Sequence, residues 1–230
     1  MSHSLTFAIG DIHGCFDKLQ TLLALCEIVQ GGEGPRFIFI GDYIDRGPDS
    51  RQVVDFLIRR QSDLGRRFIC LRGNHEEMLV RAADKYRSDH DLMTWWGNGG
   101  EQTLKSYGVD DPSELPAEHL SWMKQLPLTH IDRHRLFVHA GVRPGVPLAL
   151  QSKEDLLWIR EPFLSSRDDH GVLVVHGHTP TTSRQADLRA NRLNLDTGAC
   201  FGGPLTAAAW SGARRAPIMF VTDIGEIVRL

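Results

Sequence analysis

Asp11 and His13 stand two residues apart between Gly10 and Gly14, and Asp42 follows Gly41 shortly before Asp45 and Arg46. Asn74 precedes His75, His139 precedes Ala140-Gly141, and His178 follows Gly177. Carboxylate, amide and imidazole are ligands for divalent cations, and no sulfur belongs to the set. In extended chain, residues i and i+2 point the same way, so Asp11 and His13 can reach one cation. A carboxylate has two oxygens and can bridge two cations about 3.5–4 Å apart, a role open to Asp42. Arg46 either pairs with Asp45 at the surface or offers a bidentate grip on a phosphate. If Asn74 is a ligand, His75 is free to act as an acid, and a carboxylate such as Asp45 would keep it protonated and oriented.

Each motif alone has an ordinary explanation. Asp-x-His is common in loops, and a buried histidine at a strand end is more often a packed residue than a ligand. The elements around them change that balance. Leu5–Ile9, Phe37–Ile40 and Arg67–Leu71 read as buried strands. Each is followed by one of these loops and then by a helical pattern, over Cys15–Val29, about 49–63, and Glu76–Tyr86. Gly31-Gly32 reads as the stop of the first helix. Such alternation predicts parallel strands in an α/β fold, whose ligands gather beyond the carboxyl ends of the strands. His139 and His178 also close predicted strands, ending near 139 and 176. Five ligand motifs at five strand ends are hard to explain as packing.

Residues 88–127, with Trp95, Trp96 and Trp122, read as a helical insertion beside the site that could shape access to it. From Thr129 onward short strands return, expected to pair mainly antiparallel, with a hairpin turn at 223–226. The net charge of −3 gives no reason to expect a nucleic-acid or membrane partner. The four cysteines have no Cys-x-x-Cys spacing and read as reduced packing residues of a cytoplasmic protein. A cleaved leader is not expected, because it would remove Asp11 and its neighbours.

In order, Gly-Asp-Ile-His-Gly, Gly-Asp-Tyr-Ile-Asp-Arg-Gly, Arg-Gly-Asn-His-Glu, His139-Ala140-Gly141 and Gly177-His178-Thr179 resemble the phosphoprotein phosphatase family. The likeness is to its small bacterial and phage serine/threonine phosphatases, within the calcineurin-like phosphoesterase superfamily. Trp158-Ile159-Arg160-Glu161 and Asp196-Thr197-Gly198-Ala199 extend it. The resemblance implies one metallophosphoesterase domain over 1–230, with a central β-sandwich of mixed sheets flanked by helices. It implies a first metal on Asp11, His13 and Asp42, and a second on Asp42, Asn74, His139 and His178. Arg46 and Arg160 would bind phosphate oxygens, with Asn74 also facing the substrate. His75 would protonate the leaving group with support from Asp45, and His176 would either support the ligands from behind or be structural. The cofactor implied is a pair of divalent ions, manganese by this resemblance, with iron or zinc compatible with the same donors. A metal-bridging hydroxide would attack phosphorus in line, on a phosphorylated protein or peptide.

The alternative is a symmetrical dinucleoside tetraphosphate hydrolase of the same fold. Relatives of that kind tend to lose the Asp-Arg pair that is intact here as Asp45-Arg46. A non-catalytic scaffold on this fold would be expected to lack ligands, and here none is missing. The sequence is silent on oligomeric state.

Overall fold

The computed structural model describes residues 4–30 and 34–230. The expected Gly31-Gly32 helix stop lies outside the described residues. In chain order the first strands and helices are β1 (Leu5–Ile9), α1 (Phe16–Gln30), β2 (Arg36–Phe39), α2 (Ser50–Leu64), β3 (Phe68–Cys70) and α3 (Asn74–Ala82). The stretch read as an insertion holds α4 (Asp89–Trp95), a π-helical turn (Trp96–Gly100), α5 (Glu101–Tyr107) and α6 (Ala117–Gln125). The rest is β4 (Thr129–Ile131), β5 (Arg135–Val138), α7 (Lys153–Trp158), β6 (Leu173–His176), β7 (Asp187–Leu188), β8 (Arg192–Asn194), β9 (Thr206–Ser211), β10 (Met219–Thr222) and β11 (Ile227–Arg229).

The strands form two mixed sheets, ordered β11-β10-β9-β1-β2-β3 and β4-β5-β6-β8-β7. Alternation along each strand decides what lies on either side. Phe7 and Ile9 of β1 and Phe37 and Phe39 of β2 face the layer of α1, α2 and α3. Ala8 and Ile38, one position away, face the second sheet and meet Phe137, Leu173, Val175 and Leu193 there. Leu136, Val138 and Val174 point outward again and are covered by Leu156, Ile159 and Phe163. Burial on both faces is why these strands read as continuous apolar runs.

The first sheet carries the parallel trio β1, β2 and β3. The second carries another, β5, β6 and β8. The expectation of mainly antiparallel pairing after Thr129 holds at the edges and for β9 to β11 but not for this second trio. The chain between β5 and β6 includes α7, and parallel neighbours require a crossover of that length. Among the described residues no helix is long and apolar enough to cross a membrane.

Candidate metal centre

Both parallel trios point their carboxyl ends at one place. Asp11, Asp42 and Asn74 follow β1, β2 and β3, while His139, His178 and Asp196 follow β5, β6 and β8. The two sets are stitched directly: the His178 N–H donates to Asp11 Oδ2 at 3.0 Å and His139 Nδ1 donates to the Ile40 carbonyl, just beyond β2, at 3.0 Å.

The loop after β2 is the tightest part. Asp42, Asp45 and Arg46 all take positive φ, at 55°, 70° and 68°, a conformation costly for residues other than glycine. Buried Glu76 holds the loop from the first turn of α3. Its Oε2 accepts the N–H groups of Asp42 and Gly73, and its Oε1 accepts that of Tyr43, all at 2.8–2.9 Å. Burial and the nearby Asp42 charge push the Glu76 carboxyl up to about 7, against the pull of those N–H donors. Because Glu76 caps the helix through Gly73, α3 begins at Asn74, two residues earlier than its apolar pattern suggests, and it ends at Ala82 rather than Tyr86.

Gly73 has a φ of −95°, which any residue can adopt, so its glycine is required by proximity alone. An added Cβ would stand 2.1 Å from Asp42 Oδ1 and 2.4 Å from the Asp42 nitrogen. Gly73→Ala is therefore expected to destabilise the fold by about 1–3 kcal/mol through overpacking. Urea denaturation checks this, and an unchanged midpoint would contradict it.

The two Asp42 oxygens face opposite ways. Oδ2 lies 3.4 Å from His13 Nε2, and Oδ1 lies 3.4 Å from His139 Nε2. Hydrogen bonds fix which ring nitrogens are free. His13 Nδ1 must donate to the Ile44 carbonyl at 2.8 Å, and His139 Nδ1 to the Ile40 carbonyl at 3.0 Å. Both Nε2 lone pairs therefore point inward. Asn74 Oδ1 sits 2.7 Å from His139 Nε2 and 2.9 Å from His178 Nδ1. His139 Nε2, its proton held on Nδ1, turns a lone pair toward that amide oxygen, and a divalent cation between the two fits the arrangement. Two groups of possible ligands result: Asp42 with His139 and His178, and Asp42 with His13 and His75.

The electrostatics agree with that fit. Burial holds His13 and His139 below the usual histidine range and takes His178 down to about 3, keeping three lone pairs available. Burial raises Asp11, and the neighbouring Asp196 and Asp42 charges raise it further. Asp196 is pushed up to about 6, mainly by burial. Asp11 Oδ1 is buried without a partner. A cation would relieve this crowding of carboxylates. Burial would also raise Asp42, but His139, His75, His13 and His178 more than offset it and the net shift is downward.

His75 differs from the other three. Burial pulls it down, yet Asp42 and the Asp45 hydrogen bond together outweigh burial and raise it. Of the imidazoles around Asp42 it alone is drawn toward its charged form. Its Nδ1 donates to Asp45 Oδ2 at 2.7 Å, while Nε2 is buried, without a partner and 3.9 Å from Asp42 Oδ2. Proximity alone would count His75 among the ligands. Its Nδ1 is committed to Asp45, which leaves Nε2 as the one ring nitrogen turned toward Asp42.

The remaining expected residues are less uniformly placed. Arg46 Nη1 donates to His13 Nε2 at 2.7 Å, and its guanidinium lies 5.3 Å over the half-exposed ring of Phe201. Arg160 is exposed and lines a cavity of about 410 Å³ with Trp158, Glu161, Arg143 and His178. Asp11 belongs to neither close group of ligands, although it touches the His178 backbone. His176 donates from Nδ1 to the Gly177 carbonyl and packs its ring against Phe163, so it stands apart from both groups. Of the tryptophans expected to shape access, Trp95 is fully buried and Trp122 packs on Tyr43; Trp96 remains 43% exposed. Glu76, Trp95 and Thr103 were not anticipated as part of the site. Glu76 could have been found from its place in the Gly-Asn-His-Glu run, whereas nothing in the sequence links Trp95 or Thr103 to Asp45.

Comparison with known proteins places the chain more widely. The calcineurin-like phosphoesterase family matches residues 6–204. Serine/threonine-protein phosphatase 1 of Salmonella typhimurium is 33% identical over 214 residues, covering 88% of this chain and 90% of its own length. A symmetrical bis(5'-nucleosyl)-tetraphosphatase of Dechloromonas aromatica is also 33% identical, over 142 residues, 60% of this chain and 44% of its own length. Among solved structures, the cold-active protein-tyrosine phosphatase of a psychrophilic Shewanella superposes with a TM-score of 0.69 at 18% identity, covering 99% of this chain and 80% of that one.

Proposed function

The chain belongs to the calcineurin-like phosphoesterase family, whose members are metallophosphoesterase hydrolases, and we propose that it is a phosphomonoesterase acting on phosphorylated protein or peptide. The observation that carries this reading is the buried Asp45–His75 hydrogen bond of 2.7 Å. Hydrolysis of a serine or threonine phosphate expels an alkoxide, a poor leaving group that must be protonated as the bond breaks. Hydrolysis of a phosphoanhydride expels a phosphate, which leaves readily without that help. A histidine biased toward its charged form and aimed into the site by a dedicated carboxylate is machinery for the first reaction.

In this reading Asp11, His13 and Asp42 would hold one divalent cation, and Asp42, Asn74, His139 and His178 would hold another. Bound there, the cations would polarise the phosphoryl group and supply hydroxide at neutral pH. Arg46 exchanges its hydrogen bond to His13 for the equatorial oxygens of the substrate phosphate. Arg160 meets the same group from the cavity side, and Asn74 helps to orient it. His75 gives its Nε2 proton to the departing oxygen, and Asp45 holds the imidazole in place throughout. The oxygen and nitrogen donors accept manganese, which is proposed as the activating ion, with iron and zinc chemically compatible. The four free cysteines suit a cytoplasmic protein.

Steady-state rates with Mn²⁺ on a phosphoserine peptide and on a symmetrical dinucleoside tetraphosphate test the proposal. A higher kcat/KM for the peptide is expected. A preference for the anhydride would overturn the substrate assignment while leaving the hydrolase family untouched.

A further inference from the structure

Asp45 is fully buried, and its carboxylate is satisfied by two side chains that reach it from the helical segment far along the sequence. Trp95 Nε1, at the end of α4, lies 3.1 and 3.0 Å from Oδ1 and Oδ2. The Thr103 hydroxyl, on α5, donates to Oδ1 at 2.6 Å. With its one proton spent there, Thr103 Oγ1 accepts the Asp45 backbone N–H at 2.9 Å and the Ser50 hydroxyl at 3.0 Å. Three donors, from His75, Trp95 and Thr103, thus converge on one carboxylate, and each of them is itself fully buried.

The backbone of the segment is shaped to the same end. Between α4 and α5 the chain makes a π-helical turn, a feature that often marks functional sites. Within it Gly99 takes a φ of +99°, and its carbonyl accepts the Arg46 N–H at 3.1 Å. A Cβ on Gly99 would meet Arg46 at 2.9 Å, and one on Gly100 would meet the Trp95 ring at 2.6 Å. The turn lies flat on the Asp45-Arg46 loop.

We infer that Trp95 and Thr103 are positioning residues for His75: they fix the Asp45 carboxylate in the one orientation that keeps His75 Nε2 aimed into the site. The helical segment is thereby part of the catalytic apparatus. The inference rests on His75 acting as the acid of the proposed reaction. In that step the proton leaves Nε2 for the alkoxide oxygen as the P–O bond breaks, and the imidazole remains neutral with Nδ1–H still bonded to Asp45. A carboxylate free to rotate would let the ring swing, and the step would slow only where the leaving group needs the proton.

The test compares manganese-loaded Trp95→Phe, Thr103→Val, Thr103→Ser and His75→Asn with the parent chain on a phosphoserine peptide and on p-nitrophenyl phosphate. Trp95→Phe and Thr103→Val are expected to lower kcat on the peptide about 10-fold, a fraction of what a full general acid contributes, and on the aryl ester less than about 2-fold. KM should be unchanged, and Thr103→Ser, which keeps the hydroxyl, should recover most of the loss. Should Trp95→Phe fail to fold by circular dichroism, the Thr103 pair decides alone. Equal slowing of both esters, or no recovery in Thr103→Ser, overturns the inference. If His75→Asn discriminates between the esters and the Trp95 and Thr103 variants do not, the inference fails alone. If His75→Asn slows both esters equally, the acid role and the inference fall together.

Discussion

Replacing Asp42 with asparagine is expected to lower kcat by more than about 10³-fold, beyond the ~10–100-fold typical when a ligand loses an outer hydrogen-bonding partner. The amide would keep the shape of the side chain and one carbonyl oxygen for the His75 backbone N–H, which Asp42 Oδ1 accepts at 3.1 Å. It would lose the charge that His13 and His139 face from opposite sides at 3.4 Å. Both proposed cations should therefore bind more weakly, while thermal unfolding by circular dichroism remains cooperative. Elemental analysis after dialysis against limiting manganese reads the first effect, and turnover reads the second. A variant with full metal content and parental kcat would remove Asp42 from its bridging role.

His75→Asn should act differently. Loss of a general acid costs about 10²–10⁴-fold when the leaving group is an alkoxide and far less for a nitrophenolate. Metal content should stay at the parental level, because the three ligand histidines of the reading are elsewhere. A fall in bound metal would instead return His75 to the group of ligands, where its distance from Asp42 alone would put it.

The candidate ligand motifs were legible because each combines a short-range signal with a place at a strand end. Asp11, Asp42 and Asn74 follow apolar runs that could only be buried strands, and the parallel arrangement then brings them together. The convergence of His139 and His178 was readable in the same way. Asp196 lay in a segment noted only for its likeness to the phosphoprotein phosphatases, and its contact with the carboxylate cluster depends on β8 lying parallel to β6. That pairing was not foreseen, since the connection between those strands carries no helix to announce a crossover. The start of α3 was misplaced because Asn74 and His75 break the apolar pattern while Glu76 caps the turn. Trp95 and Thr103 belong to a third kind. Their partner Asp45 is 50 and 58 positions away, and tryptophan at such spacing reads as core or rim with equal ease.

The stitch between Asp11 and His178 joins residues 167 positions apart, one from each sheet. Non-local contacts of that span are gained late, after the entropy of closing a long loop has been met. A growing chain could pair β1, β2 and β3 and cover them with helices while its cation sites still lacked half their donors. Ion capture would then report docking of the two layers rather than growth of either one. A cation that bound only the docked form would act as a fastener whose hold on the folded state rises with its concentration.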